Sequence, residues 1–82
     1  MTYIPPPKDL LAFPEAKPAK SKTSIPGGGL RKRWKDKDYI YEWDSYHGSV
    51  EKYDKRGKHL GEFDPINGEQ TKPADSSRKI EP

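Results

Sequence analysis

The chain has 82 residues, 29% hydrophobic and 35% charged, so it can enclose only one small core. It has no cysteine, which removes disulfides and thiolate metal sites as staples, and no apolar run approaches the roughly 18 to 20 residues of a membrane span. The net charge of +3 conceals a division: residues 17–37 hold eight Lys/Arg against Asp36 alone, whereas residues 38–54 hold five carboxylates against Lys52 alone. The basic stretch suits a polyanion such as nucleic acid; the alternative is an ordinary solvated face.

Residues 1–29 are rich in Pro, Lys, Ser and Gly and read as an extended arm. Asp9-Leu10-Leu11-Ala12-Phe13 has the makings of one short helix, with Asp9 as N-cap and Pro14 as the stop. Leu10, Leu11 and Phe13 are the side chains that could dock it. Gly27-Gly28-Gly29 is a hinge or a place where backbone passes close to another surface. The first seven residues lack the charged-then-apolar layout of a secretory signal, so export would rest on other sequence.

Residues 30–82 form the expected β domain. After Gly29 the apolar period changes to two: Tyr39, Tyr41 and Trp43 share one face, and Ile40, Glu42 and Asp44 the other. The pattern predicts a first strand near Leu30 to Trp34, then Tyr39 to Asp44, Ser49 to Asp54, His59 to Asp64, and a last one at Glu69-Gln70-Thr71. The turns are Ser45-Tyr46-His47-Gly48, Lys55-Arg56-Gly57-Lys58 and the hairpin signal Asn67-Gly68. Links this short require antiparallel pairing. The expected fold is mainly β: a small, twisted antiparallel sheet of four to five strands with an aromatic face. Beyond Pro73 the tail is polar and is expected to be ordered only where it touches the sheet.

RNA cleavage beside a 2′-hydroxyl needs a base for that hydroxyl, an acid for the leaving 5′-oxygen and cations for the charge that builds on phosphorus. Asp44, His47 and Glu51 supply carboxylate, imidazole and carboxylate within eight residues, and a hairpin can bring them to one face. The bland alternatives are an exposed turn histidine and two solvent-facing strand carboxylates. The two histidines, His47 and His59, with scattered carboxylates match no recognised metal-ligand spacing, so no metal or other cofactor is expected. Arg31, Lys32, Arg33, Lys35 and Lys37 surround Trp34 as cations surround stacking rings in RNA-binding surfaces, or else protect an edge strand from aggregation. Lys55, Arg56, Lys58 and His59 are further candidate RNA contacts.

The strings Gly27-Gly28-Gly29-Leu30-Arg31-Lys32-Arg33-Trp34, Ile40-Tyr41-Glu42-Trp43-Asp44-Ser45-Tyr46-His47-Gly48 and His59-Leu60-Gly61-Glu62-Phe63-Asp64-Pro65 carry a resemblance. With consistent spacing from about Gly27 to Ile80, the chain resembles the cytotoxic domain of the rRNA-cleaving colicins. The resemblance implies a twisted antiparallel sheet with a short N-terminal helix. It also implies a metal-independent endoribonuclease that cuts small-subunit rRNA in the decoding centre, is exported within a larger toxin and acts in the cytoplasm of a target bacterium. A small acidic immunity protein would neutralise it in the producer. Related domains end contact-dependent growth-inhibition toxins. The receptor-binding and translocation parts of such toxins would lie outside this sequence, and the fragment is expected to be monomeric and not to bind membrane.

Residue by residue, the family's catalytic aspartate, histidine and glutamate fall on Asp44, His47 and Glu51, and its C-terminal arginine on Arg78. Two departures stand out: Ser49 replaces an additional glutamate two residues after the histidine, and Tyr46 replaces an amide. The tail also ends in Glu81-Pro82 instead of continuing with basic residues. The implied chemistry has Glu51 deprotonate the 2′-hydroxyl, His47 protonate the leaving oxygen, Asp44 orient His47 and favour its protonated form, and Arg78 stabilise the phosphate. A non-catalytic RNA-binding β module is the alternative; a DNA-cutting toxin domain is disfavoured because its metal-binding histidine cluster is missing.

Overall fold

A computed structural model describes residues 3–82; Met1 and Thr2, the first residues of the expected arm, lie outside the described residues. The strands are β1 (Lys17–Ala19), β2 (Arg33–Lys35), β3 (Tyr39–Asp44), β4 (Ser49–Asp54), β5 (His59–Phe63) and β6 (Gln70–Lys72). They form one antiparallel sheet in sequence order. The five strands expected after Gly29 are β2 to β6. The sixth comes from the arm, whose Lys17, Pro18 and Ala19 pair with Lys35, Trp34 and Arg33.

Among the described residues there is no helix. Where one was expected, the chain makes two successive turns, with the Phe13 N–H on the Leu10 carbonyl (3.1 Å) and the Ala16 N–H on the Phe13 carbonyl (3.0 Å). Between Pro7 and Pro14 there are too few residues to repay helix nucleation. Docking takes over: Leu10 and Ala16 are buried, Phe13 packs against the same core, and Leu11 points outward.

That core is the aromatic face of the sheet. Trp34, Tyr41, Trp43 and Val50 lie on it together with Leu10 and Ala16, bordered by Ile4, Phe13 and Phe63. A sheet with one apolar face must cover it, and here the arm does so in place of a helix. Two indoles tie the arm down: Trp43 Nε1–H donates to the Ile4 carbonyl (2.7 Å) and Trp34 Nε1–H to the Lys8 carbonyl (3.0 Å). A buried indole needs such a partner, and the arm's proline-rich backbone has carbonyls to spare.

The opposite face is polar and buried. Glu42, Glu51 and Glu62 stand side by side across β3, β4 and β5, because Glu42 pairs with Glu51 and Glu51 with Glu62. Like charges directly opposite destabilise a sheet, so each needs its own counter-charge or donor. Glu42 takes Arg33, whose Nε and Nη2 both reach Oε2 (3.2 and 2.8 Å). The other two carboxylates are neutralised in the site described next.

Aspartate organises the turns. Asp36, Asp44, Asp54, Asp64 and Asp75 each accept, on one side-chain oxygen, the backbone N–H two residues on. Each leaves the preceding segment in an Asx-type turn. The C-terminal tail returns to the sheet at the β4–β5 turn: Ile80 N–H donates to the Gly57 carbonyl (2.9 Å) and Lys79 bridges to Lys58.

Candidate active site

The β3–β4 turn builds the first half of the site. Asp44 Oδ1 accepts the backbone N–H groups of Tyr46 (2.9 Å) and His47 (3.3 Å), and the Gly48 N–H closes on the Asp44 carbonyl. Gly48 sits at φ 65°, a conformation glycine adopts without strain. This turn carries the imidazole back over its own aspartate, so His47 Nδ1 lies 2.8 Å from Asp44 Oδ2. Burial pushes the Asp44 carboxyl up, but the His47 ring and the two turn N–H groups outweigh it and hold it below its ordinary value of 3.8. The His47 side chain is 54% exposed, and among the described residues its Nε2 has no partner.

β4, β5 and the tail build the second half. Glu51 Oε1 accepts from His59 Nε2 (2.7 Å) and from Arg78 Nη1 (3.2 Å), while Arg78 Nη2 donates to the Tyr53 hydroxyl (3.1 Å). The Asp75 N–H donates to His59 Nδ1 (2.9 Å), which makes Nδ1 the acceptor and Nε2 the donor toward Glu51. His59 therefore braces Glu51 from within the fold. Burial raises the Tyr53 hydroxyl to about 12, so it stays a neutral partner for Arg78.

Glu62 joins the two halves. Its Oε1 approaches His47 Nδ1 to 3.3 Å and its Oε2 accepts from the Thr71 hydroxyl (2.7 Å). Burial pushes this carboxyl up, yet the Thr71 and Ser49 hydroxyls and the charges of Lys72 and His47 hold it below 4.5. Ser49 Oγ lies close enough to contribute but has no hydrogen bond of good geometry. Asp44, His47, Glu51, His59, Glu62, Lys72 and Arg78 line one cleft of about 570 Å³ together with residues 73–76. Asp44, His47 and Glu62 each present a ligand atom, all within 4.8 Å of one another, so this trio could also hold a divalent ion.

An imidazole with a free nitrogen, a braced carboxylate and a guanidinium thus share one cleft. A family model described as Cytotoxic matches residues 4–81. The chain belongs to the Cytotoxic family. Cloacin, colicin E3 and colicin-E6, all from Escherichia coli, are each 48% identical to it over 84 residues. Each alignment covers 95% of this chain and 15% of the relative, so the chain spans about 15% of the length of those relatives.

In this member of the Cytotoxic family, the structure brings Asp44, His47, Glu51 and Arg78 to a single cleft. The candidate RNA contacts divide. Lys35, Lys37, Lys55, Arg56 and Lys58 are exposed. Arg31 is half-buried, with Nη1 on the Trp43 carbonyl (3.1 Å), and Lys32 lies over the Trp34 ring. Arg33 and His59 are buried and committed to Glu42 and Glu51, so neither reaches solvent to meet a phosphate.

Glu62 and Lys72 escaped the sequence reading. Continuing the alternation of β4 across its hairpin would have found Glu62, since it lies directly opposite Glu51. No such signal existed for the role of His59. In β5, Gly61 and Phe63 oppose Lys52 and Val50 on the core face, and strict alternation would put His59 there too. A bulge at Leu60 resets the register and turns His59 toward Tyr53 and the cleft.

Proposed function

We propose that this chain is the ribonuclease part of a bacteriocin-type toxin that cleaves small-subunit rRNA in the ribosomal decoding centre and so blocks translation. Membership of the Cytotoxic family supports the reaction class. The observation that carries the assignment to residues is the pairing of His47 with Asp44 and of Arg78 with Glu51 in one cleft. Glu51 takes the proton of the 2′-hydroxyl, which attacks the adjacent phosphorus; among the described residues its Oε2 accepts no bond, whereas Oε1 holds both braces. His47 gives its Nε2 proton to the leaving 5′-oxygen. Asp44 keeps the ring in place through Nδ1, and Arg78 moves its charge from Glu51 to the phosphate as negative charge builds there. The products are a 2′,3′-cyclic phosphate and a 5′-hydroxyl.

Residues 30–82 carry the cleft in this reading, and residues 1–29 are the arm that closes the other face. Arg31, Lys32, Lys35, Lys37, Lys55, Arg56, Lys58 and Lys72 hold the rRNA backbone, which makes binding steeply salt-dependent. The chain works as a monomer delivered within a larger secreted toxin, acts in the cytoplasm of the target cell, and is neutralised in its producer by an acidic immunity protein.

The test is incubation with intact ribosomes in EDTA. One discrete 3′ rRNA fragment, with a cyclic phosphate on its upstream partner, is expected, and His47→Ala and Glu51→Gln should abolish it while remaining folded. A 5′-phosphate product or a need for added metal overturns the scheme. Ribosome binding with no fragment leaves the RNA-binding module as the correct reading.

A further inference from the structure

His47 Nδ1 faces two carboxylates, although one is enough to set a tautomer. Asp44 Oδ2, at 2.8 Å, comes from the same turn; Glu62 Oε1, at 3.3 Å, comes from β5. Glu62 is 5% exposed, and among the described residues its buried Oε1 has no hydrogen-bond partner; its approach to this ring is an ion-pair contact. Its other oxygen is anchored by Thr71 of β6, so the carboxylate is aimed and not merely near. Ser49, beside it on β4, is small enough to leave it room.

We propose that Glu62 is a second positioning residue for His47, an ion-pair contact at Nδ1 beside the Asp44 hydrogen bond that holds the ring so that Nε2 faces the cleft. Asp44 moves with the turn that carries His47, so on its own it leaves the ring free to swing with that turn. Glu62 ties the ring to the sheet, and through the sheet to Glu51, its cross-strand neighbour. The acid and the base of the proposed reaction are thereby held at a set separation, which is where orientation contributes most to rate. Glu62 also places a second negative charge beside the ring. The titratable and charged groups that share the ring's cleft are Asp44 from β3, Glu51 from β4, His59 and Glu62 from β5, Lys72 from β6, and Asp75 and Arg78 from the tail. This inference rests on the ribonuclease reading.

The test compares Glu62→Gln with the parent in ribosome cleavage across pH. The glutamine preserves shape and the Thr71 contact, so a folded protein is expected, with kcat down about tenfold and KM little changed, as for loss of a group that only orients an acid. The alkaline limb of the kcat profile should move to lower pH, because an anion favouring the protonated ring is gone. Ser49→Glu combined with Glu62→Ser returns a carboxylate to the same place from β4 and should recover most of the rate. Parental kcat and pH profile in Glu62→Gln, with His47→Ala inactive, would overturn this inference and leave the ribonuclease reading standing. Full cleavage by His47→Ala would overturn both. If Glu62→Gln does not fold, the double variant decides: recovery of the rate and profile supports the role, and a folded but slow double variant refutes it.

Discussion

Arg33 and Asp44 show how differently two charged residues of one sequence can be used. Arg33 sits among cations that read as an RNA-binding surface, yet it is 2% exposed and bound to Glu42, which is fully buried. Breaking such a pair strands a charge, so Arg33→Ala should cost roughly 3 to 5 kcal/mol of stability by chemical denaturation. The exposed Lys35→Ala, by contrast, should weaken RNA binding and leave stability nearly unchanged. Asp44 has two tasks on two oxygens, the turn on Oδ1 and His47 on Oδ2. Asn can accept the turn N–H groups but carries no charge to hold an imidazolium. Asp44→Asn should therefore lower the cleavage rate by roughly 10² to 10⁴, the range of general acid catalysis, with a loss of about 1 kcal/mol or less in stability.

At the scale of elements, the tail matters as much as the strands, because Arg78 reaches Glu51 only if residues 78–80 lie across the β4–β5 turn. Gly57 makes that crossing possible. It adopts φ 90°, and a Cβ there would collide with the Ile80 carbonyl. Gly57→Ala should lose more than about 1 kcal/mol from strain alone. It should also lift the tail, so that cleavage falls toward the level of Arg78→Ala; parallel measurements of unfolding and cleavage on both variants check this. The bulge at Leu60 works in the same way within β5: one unpaired residue transfers His59 from the core face to the cleft.

For the whole molecule, the turn aspartates and the buried carboxylates link stability to pH. Asp44, Asp54, Asp64 and Asp75 are held below 3.8 and Glu62 below 4.5, by turn N–H groups, hydroxyls and neighbouring cations. Groups lowered on folding contribute stability that is complete above their unfolded values and lost as pH falls through the folded ones. Stability should be level above about pH 5 and decline steadily below 4, as thermal melts across pH would record. Tyr53 acts at the other end: raised from 10.0 to about 12, it contributes stability that is present below pH 10 and lost as pH rises through its folded value.

Much of this was legible in the sequence because it is local. Period-two alternation placed β3 and β4, Asn67-Gly68 marked the last hairpin, and the three-residue step from Asp44 to His47 is closed by a single turn. Asp44, His47 and Glu51 were legible as a local constellation, but Arg78 joined them only through resemblance, since nothing local connects it to Glu51, 27 positions away. The arm read as extended, and it is, but its proline-rich pattern could not show that two indoles and the aromatic face would recruit it as the second layer of the core. Burial of Arg33, the turn of His59 into the cleft and the approach of Glu62 to His47 depend on strand register, and on a bulge that period-two reasoning cannot place. Local sequence determined which residues alternate and where the chain turns. Only the tertiary structure decided which charges are paired inside and which remain free to meet a substrate, because that depends on neighbours brought from other strands.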